Sequence, residues 1–149
     1  MHYMAMTSRS QSQNMLRDCI CTRVRMSSRA LTRLYDDMLR STGLKSSQLP
    51  LLAAMHYGEF ESISDLSRKL EMDRTTLTRN LRPLIAEGFV KLSAARGRAK
   101  GVEITREGLA ALSRAMPSWL DAQRRVLSHF GVERWRQLDA ELQALASTP

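Results

Sequence analysis

Two cysteines in 149 residues are too few for a disulfide-stapled scaffold. Seven glycines and four prolines argue against an all-β fold with many turns. No stretch approaches the roughly 20 apolar residues that span a bilayer. The start, MHYMAMTSRSQSQN, lacks the apolar centre of a secretory signal. A cytoplasmic protein with no membrane partner is therefore expected. There is no Gly-x-Ser-x-Gly, no His-Glu-x-x-His, no phosphate loop and no Rossmann fingerprint, so an enzyme is not expected. His2, His56 and His129 show no ligand spacing, and neither metal nor cofactor is expected.

What is present is positive charge. The net charge is +8 and the sequence pI about 10.3. That balance favours a polyanionic partner, nucleic acid first and an anionic membrane surface second. The excess is uneven: +5 over Met1–Ser47, −3 over Gln48–Ser67, +6 over Arg68–Arg106 and zero beyond. A local excess points to a binding surface, although a solvated face kept soluble by charge shares that signature.

The apolar residues Leu16, Ile20, Val24, Leu31, Leu34, Tyr35 and Met38 recur at helical spacing. They predict one long amphipathic helix over Met15–Arg40, stopped by Gly43 and preceded by a loose polar segment through Asn14. Ser47 is expected to cap a helix over Gln48–His56, with Pro50 in its first turn. Ser62 or Ser64 caps a short helix to Leu70, and Asp73 caps another over Arg74–Glu87. Phe89–Thr105 reads as an antiparallel hairpin with a flexible cationic tip, SAARGRAKG. Thr105 caps a long helix with Pro117 expected to bend it, and Glu133–Leu145 forms the last helix.

The expected fold is therefore mainly α with a small β-hairpin wing: a winged helix-turn-helix embedded in a helical frame. Its parts are a flexible N-terminus (1–14), frame helices (15–46 and 106–149), to which the family resemblance given below assigns dimerisation, and a winged helix-turn-helix domain (47–105).

Ser62–Leu70, the turn Glu71–Met72–Asp73 and Arg74–Glu87 have the spacing of a helix-turn-helix, whose second helix enters the major groove. Leu77, Leu81 and Leu84 share the inward face. Rotation by about 100° per residue then sets Thr75, Arg79 and Arg82 outward, with Thr76 and Pro83 beside them and Asn80 at the rim. Arginine can donate two hydrogen bonds to guanine, and threonine can meet phosphate or a thymine methyl. An ordinary solvated face explains one arginine easily. It explains less easily a run with no acid from Arg74 to Ala86. Pro83 inside this helix should bend its second half. Arg96, Arg98 and Lys100 alternate at the hairpin tip and suit phosphates or the minor groove.

The runs LYDDMLRSTGLKSSQLPLLAAM, ISDLSRKLEMDRTTLTRNLRPLIAEGFV and RAKGVEITREG together resemble the MarR (multiple-antibiotic-resistance regulator) family of winged-helix repressors, over about Leu16–Leu145. The resemblance implies a homodimer clasped by the first and last two helices, bound to double-stranded DNA at a pseudo-palindromic operator. It also implies an effector cleft for a small molecule. Arg98 matches the family's wing arginine, and Ile104-Thr105 the closing pair. The family's wing aspartate falls on Arg96, so that internal brace is missing.

Cys21 aligns with the reactive cysteine of the family's hydroperoxide-sensing branch, and Tyr35 with one of that branch's supporting tyrosines. Two others are Arg25 and Ser46 here. On one continuous helix Cys19 and Cys21 face opposite ways and cannot bond to each other without unwinding. Arg17 and Arg25, a turn either side, can raise the thiolate content of Cys21. The bland alternative makes both cysteines packing residues of a dimer helix. A thiol peroxidase built on Cys21 is the remaining enzymatic version.

Overall fold

A computed structural model describes residues 8–58, 60, 62–94 and 100–148, with the side chains of Ala94 and Lys100 left out. The chain divides into two compact units, Met1–Leu34 and Tyr35–Pro149.

The N-terminal unit holds α1 (Arg9–Asp18) and most of α2 (Ile20–Leu39). The single helix expected from Met15 is thus two helices, and the segment expected to be loose is helical from Arg9. The cause of the early start is a capping box. The Gln11 N–H donates to Ser8 Oγ (3.2 Å), while the Ser8 N–H donates to Gln11 Oε1 (2.8 Å). The break falls at Cys19, whose ψ of 114° is extended. Its N–H still closes α1 on the Met15 carbonyl, and its own carbonyl accepts from Arg23 N–H at 3.0 Å to open α2. The premise that both cysteines ride one continuous helix is therefore corrected: Cys19 is the joint and Cys21 lies in α2.

The C-terminal unit starts within α2 and turns through a short 3-10 segment, Arg40–Thr42, which Gly43 ends at φ +75°. Then follow α3 (Leu49–Tyr57), α4 (Ile63–Lys69), α5 (Arg74–Ala86), the strands β1 (Val90–Ala94) and β2 (Lys100–Ile104), α6 (Arg106–Phe130) and α7 (Val132–Ala146). The expected cap at Ser47 gives way to Gln48, which caps α3 without its side chain. That side chain turns back to accept from the Lys45 N–H at 2.8 Å. Of the two serines before α4, Ser62 is the cap, accepting from Asp65 N–H at 3.2 Å. Pro83 and Pro117 are both held inside continuous helices. Among the described residues no helix is long and apolar enough to cross a membrane.

The core of this unit is aliphatic. Leu39, Leu51, Leu52, Leu66, Leu77 and Leu84 are fully buried, joined by Val90, Val102, Ala111 and Ala115. Burying each such leucine is worth about 1.5–3 kcal/mol. The strands pair antiparallel with Val90 opposite Ile104 and Leu92 opposite Val102. Val90 is buried but Leu92 is 59% exposed while Val102 opposite it is buried, so at that level β2 faces the core and β1 lies at its edge.

The base of the hairpin is tied to the helices on both sides. The Phe89 N–H donates to the Leu84 carbonyl (2.9 Å). Thr105 donates twice, from its N–H to the Phe89 carbonyl (3.0 Å) and from its hydroxyl to the Gly88 carbonyl (2.7 Å). The same hydroxyl caps α6 by accepting from the Gly108 N–H at 3.0 Å. Gly108 lies so close to Phe89 that a Cβ there would overlap the Phe89 carbonyl and sit 2.9 Å from Ile104 Cγ1.

Candidate nucleic-acid interface

α4, its turn and α5 form the helix-turn-helix. The turn is held by the Met72 N–H on the Ser67 carbonyl (2.9 Å) and the Ser67 hydroxyl on the Met72 carbonyl (2.5 Å). Glu71 makes the bend at φ +49°, a left-handed conformation that glycine adopts without strain. Asp73 then caps α5, accepting from the Thr76 N–H (2.8 Å) and the Thr76 hydroxyl (2.5 Å). Those two hydrogen bonds, with a smaller pull from Arg79, hold the Asp73 carboxyl below its usual range.

Behind α5, Leu77, Leu81 and Leu84 are buried against the core, with at most 3% exposure. That anchoring fixes which face is left open. Thr75, Arg79 and Arg82 are exposed, as the rotation predicts, and Asn80 is half-buried at the rim. Thr76 differs from the expectation. It is half-buried and its hydroxyl is spent on the Asp73 cap, so it builds the helix start rather than offering a free donor.

Two further residues of α5, Arg74 and Thr78, are exposed on its flanks rather than on the face of Arg79. The Thr78 hydroxyl donates to the Arg74 carbonyl (2.7 Å). The rotation that faces Arg79 outward sets Thr78 about 100° to one side of it. Pro83 has no N–H to give the Arg79 carbonyl, so the helix loses one backbone hydrogen bond there. The open face carries cations and hydroxyls and no carboxylate, a surface suited to phosphate oxygens and base-edge acceptors.

Of the expected wing residues, Arg96 and Arg98 lie outside the described residues. Lys100 opens β2 opposite Ala94. Lower on the hairpin, Lys91 and Glu103 face each other and pair at 3.1 Å. Hydrogen bonds from Lys91 and then Ser93 hold the Glu103 carboxyl below its usual range.

A separate cavity of about 360 Å³ lies in the same unit, lined by Tyr35, Ser46, Leu49, Pro50, Ala53, Leu112, Met116 and Trp119. Its wall is mostly apolar. The Tyr35 hydroxyl donates to Gln123 Oε1, and burial pushes the phenol pKa up. Tyr35, expected beside a sensing thiol, thus serves this wall. Cys21 belongs to the N-terminal unit, exposed and unbonded. Cys19 is half-buried, and hydrogen bonds from the Thr22 hydroxyl and N–H lower its thiol pKa. Among the described residues no three His, Cys, Asp or Glu side chains group to hold a metal.

Compared with solved structures, this arrangement is similar to the transcriptional regulator MosR of Mycobacterium tuberculosis. The identity is 34% over 88% of this chain and 97% of that one, with a TM-score of 0.75. The chain belongs to the MarR family of transcriptional regulators. MosR in complex with DNA gives 35% identity over 87% of this chain and 96% of that one, with a TM-score of 0.77. An Escherichia coli MarR mutant complexed with operator DNA shares the fold at 18% identity, over 89% and 96% of the two chains, with a TM-score of 0.77. No family model and no curated protein matches the chain. Within the MarR fold, the helix-turn-helix and hairpin described above form the winged-helix part.

Proposed function

We propose that this MarR-family chain is a sequence-specific binder of double-stranded DNA that acts as a homodimer and represses transcription, and that a small molecule releases it. The observation that carries the reading is the open face of α5. Thr75, Arg79 and Arg82 stand exposed on a helix whose other side is locked by three buried leucines. Thr75 and Arg82 flank Arg79 by one turn on either side, so all three can enter one groove together. Arg96, Arg98 and Lys100 are assigned to the backbone beside it, where cations add affinity with little sequence choice.

Dimerisation is supported by α7, where Trp135, Leu138, Leu142 and Leu145 form a stripe more than a third exposed. An open apolar stripe of that length marks a surface that a partner covers. The N-terminal unit carries another in Leu16, Ile20 and Val24. Effector release is supported by the cavity at Tyr35, whose size and apolar wall fit a small aromatic or amphipathic molecule.

The test is a binding titration on the DNA upstream of the chain's own gene. A complex of two chains that prefers this DNA to mixed-sequence duplex, and lowers transcription from it, is expected. Equal affinity for both duplexes overturns the reading.

A second reading, thiol sensing, is favoured by the exposed Cys21 beside the acidified Cys19 thiol. It predicts that peroxide releases the DNA, that reductant restores binding, and that Cys21→Ser abolishes the response. Repeated turnover of peroxide with a reductant would instead indicate a thiol peroxidase.

A further inference from the structure

The chain has two long stretches of helix rich in arginine and free of acids. One is α5. The other lies in the N-terminal unit, where no Asp or Glu occurs between Asp18 and Asp36 and arginine recurs. Arg25, Arg29 and Arg33 follow each other at four-residue steps along α2 and are exposed. Like charges at that spacing repel and destabilise an isolated helix. Elsewhere Arg40, Arg124 and Arg136 are each neutralised by an acid one turn away, Asp37, Asp121 and Glu133. Among the described residues no acid pairs with Arg25, Arg29 or Arg33.

The ladder also lies on the far side of the helix from the apolar stripe. About 100° per residue puts Ile20, Val24 and Leu31 together and sets the three arginines roughly opposite. Whatever covers the apolar stripe leaves the ladder facing outward.

We propose that Arg25, Arg29 and Arg33 form a second contact surface for duplex DNA, apart from the open face of α5, gripping the phosphate backbone without reading bases. The rungs rise about 6 Å per step. Long guanidinium side chains adjust that spacing to a strand carrying a charge about every 3.4 Å of axis. Arginine suits phosphate because its planar fork donates two parallel hydrogen bonds. Thr32, exposed on the same side of the helix, adds a hydroxyl donor. A membrane surface is disfavoured because an interfacial helix sets its cations against bulky apolar residues that enter the lipid. Here the apolar stripe that would enter is the one suited to pairing with another helix.

The experiment titrates the full-length protein against a labelled mixed-sequence duplex at a series of salt concentrations. It compares the native chain with Arg25→Gln/Arg29→Gln/Arg33→Gln and with Arg25→Lys/Arg29→Lys/Arg33→Lys. Glutamine and lysine keep helix propensity close to that of arginine. The glutamine variant is expected to bind at least tenfold more weakly. Its plot of log affinity against log salt becomes shallower by about 0.9 for each phosphate no longer neutralised. The lysine variant keeps the native slope, because an ammonium also displaces a counterion.

An unchanged affinity and slope in the glutamine variant overturns the proposal. Equal losses in the lysine variant overturn it too, because the effect then lies in the helix and not in its charge. Competition by poly-glutamate or phosphatidylserine vesicles as strong as that by duplex, at equal charge, overturns it by assigning the ladder to another partner. The readout uses mixed-sequence DNA alone, so it stands or falls separately from operator preference, which the ladder variants leave unchanged.

Discussion

Arg79 carries the sharpest prediction at the scale of single residues. It stands at the middle of the exposed α5 face, so Arg79→Ala should cost about 1–3 kcal/mol on the preferred site and relax discrimination there. Lys100→Ala should weaken binding to every duplex alike. Anisotropy on preferred and mixed DNA separates the two. Gly108 gives a stability prediction of opposite sense to helix propensity. Alanine is favoured over glycine inside a helix by about 1 kcal/mol. Here its methyl group would overlap the Phe89 carbonyl and press on Ile104, and overpacking of that kind costs about 1–3 kcal/mol. Gly108→Ala should therefore lower the urea midpoint. The outward positions of Thr75, Arg79 and Arg82 were readable from the sequence because buried leucines at regular spacing fix a helix's rotation. Gly108 was not, because a glycine in a helix names no neighbour until the chain has folded. The capping use of the Thr76 hydroxyl was not legible, because one hydroxyl beside the open face has two local uses and the structure spends it on Asp73.

The turn and the caps decide behaviour among the secondary elements. Glu71 adopts a left-handed conformation at the bend of the helix-turn-helix. Glu71→Gly should stabilise the fold by about 1 kcal/mol, while Glu71→Val should destabilise it, as thermal melts would show. Asp73 and Glu103 both have carboxyl pKa values lowered by folding. A lowered folded-state pKa contributes stability above the ordinary carboxylate range, and that contribution is lost as pH falls through the folded value. Unfolding midpoints should drop on the acid side of that range. Asp73→Asn, which still caps, should flatten part of the drop. Most element boundaries were legible from caps and glycine stops. The two-helix N-terminal unit was not, because the apolar period runs unbroken through Cys19 while the backbone does not. The Ser8–Gln11 capping box was in the sequence but went unread beside an otherwise polar segment.

For the whole molecule, the exposed stripe on α7 makes assembly the controlling variable. Leu138→Glu/Leu142→Glu should halve the mass seen by sedimentation and weaken operator binding by about two orders of magnitude, since two linked recognition helices bind far more tightly than one. Helix content should change little. The fold class was legible because its parts are local, three short helices and a hairpin each with its own stop signal. The cavity was not, because its lining comes from residues as far apart as Tyr35 and Trp119. One junction ties these scales together. Thr105 holds the carbonyls of Gly88 and Phe89 while its hydroxyl starts α6, and Gly108 seats against the same peptide. The rod that carries Trp119 and the cavity wall is thereby bolted to the root of the wing and the tail of α5. The wing and α5 thus share one anchor on α6, so a shift of that anchor is a shift of both.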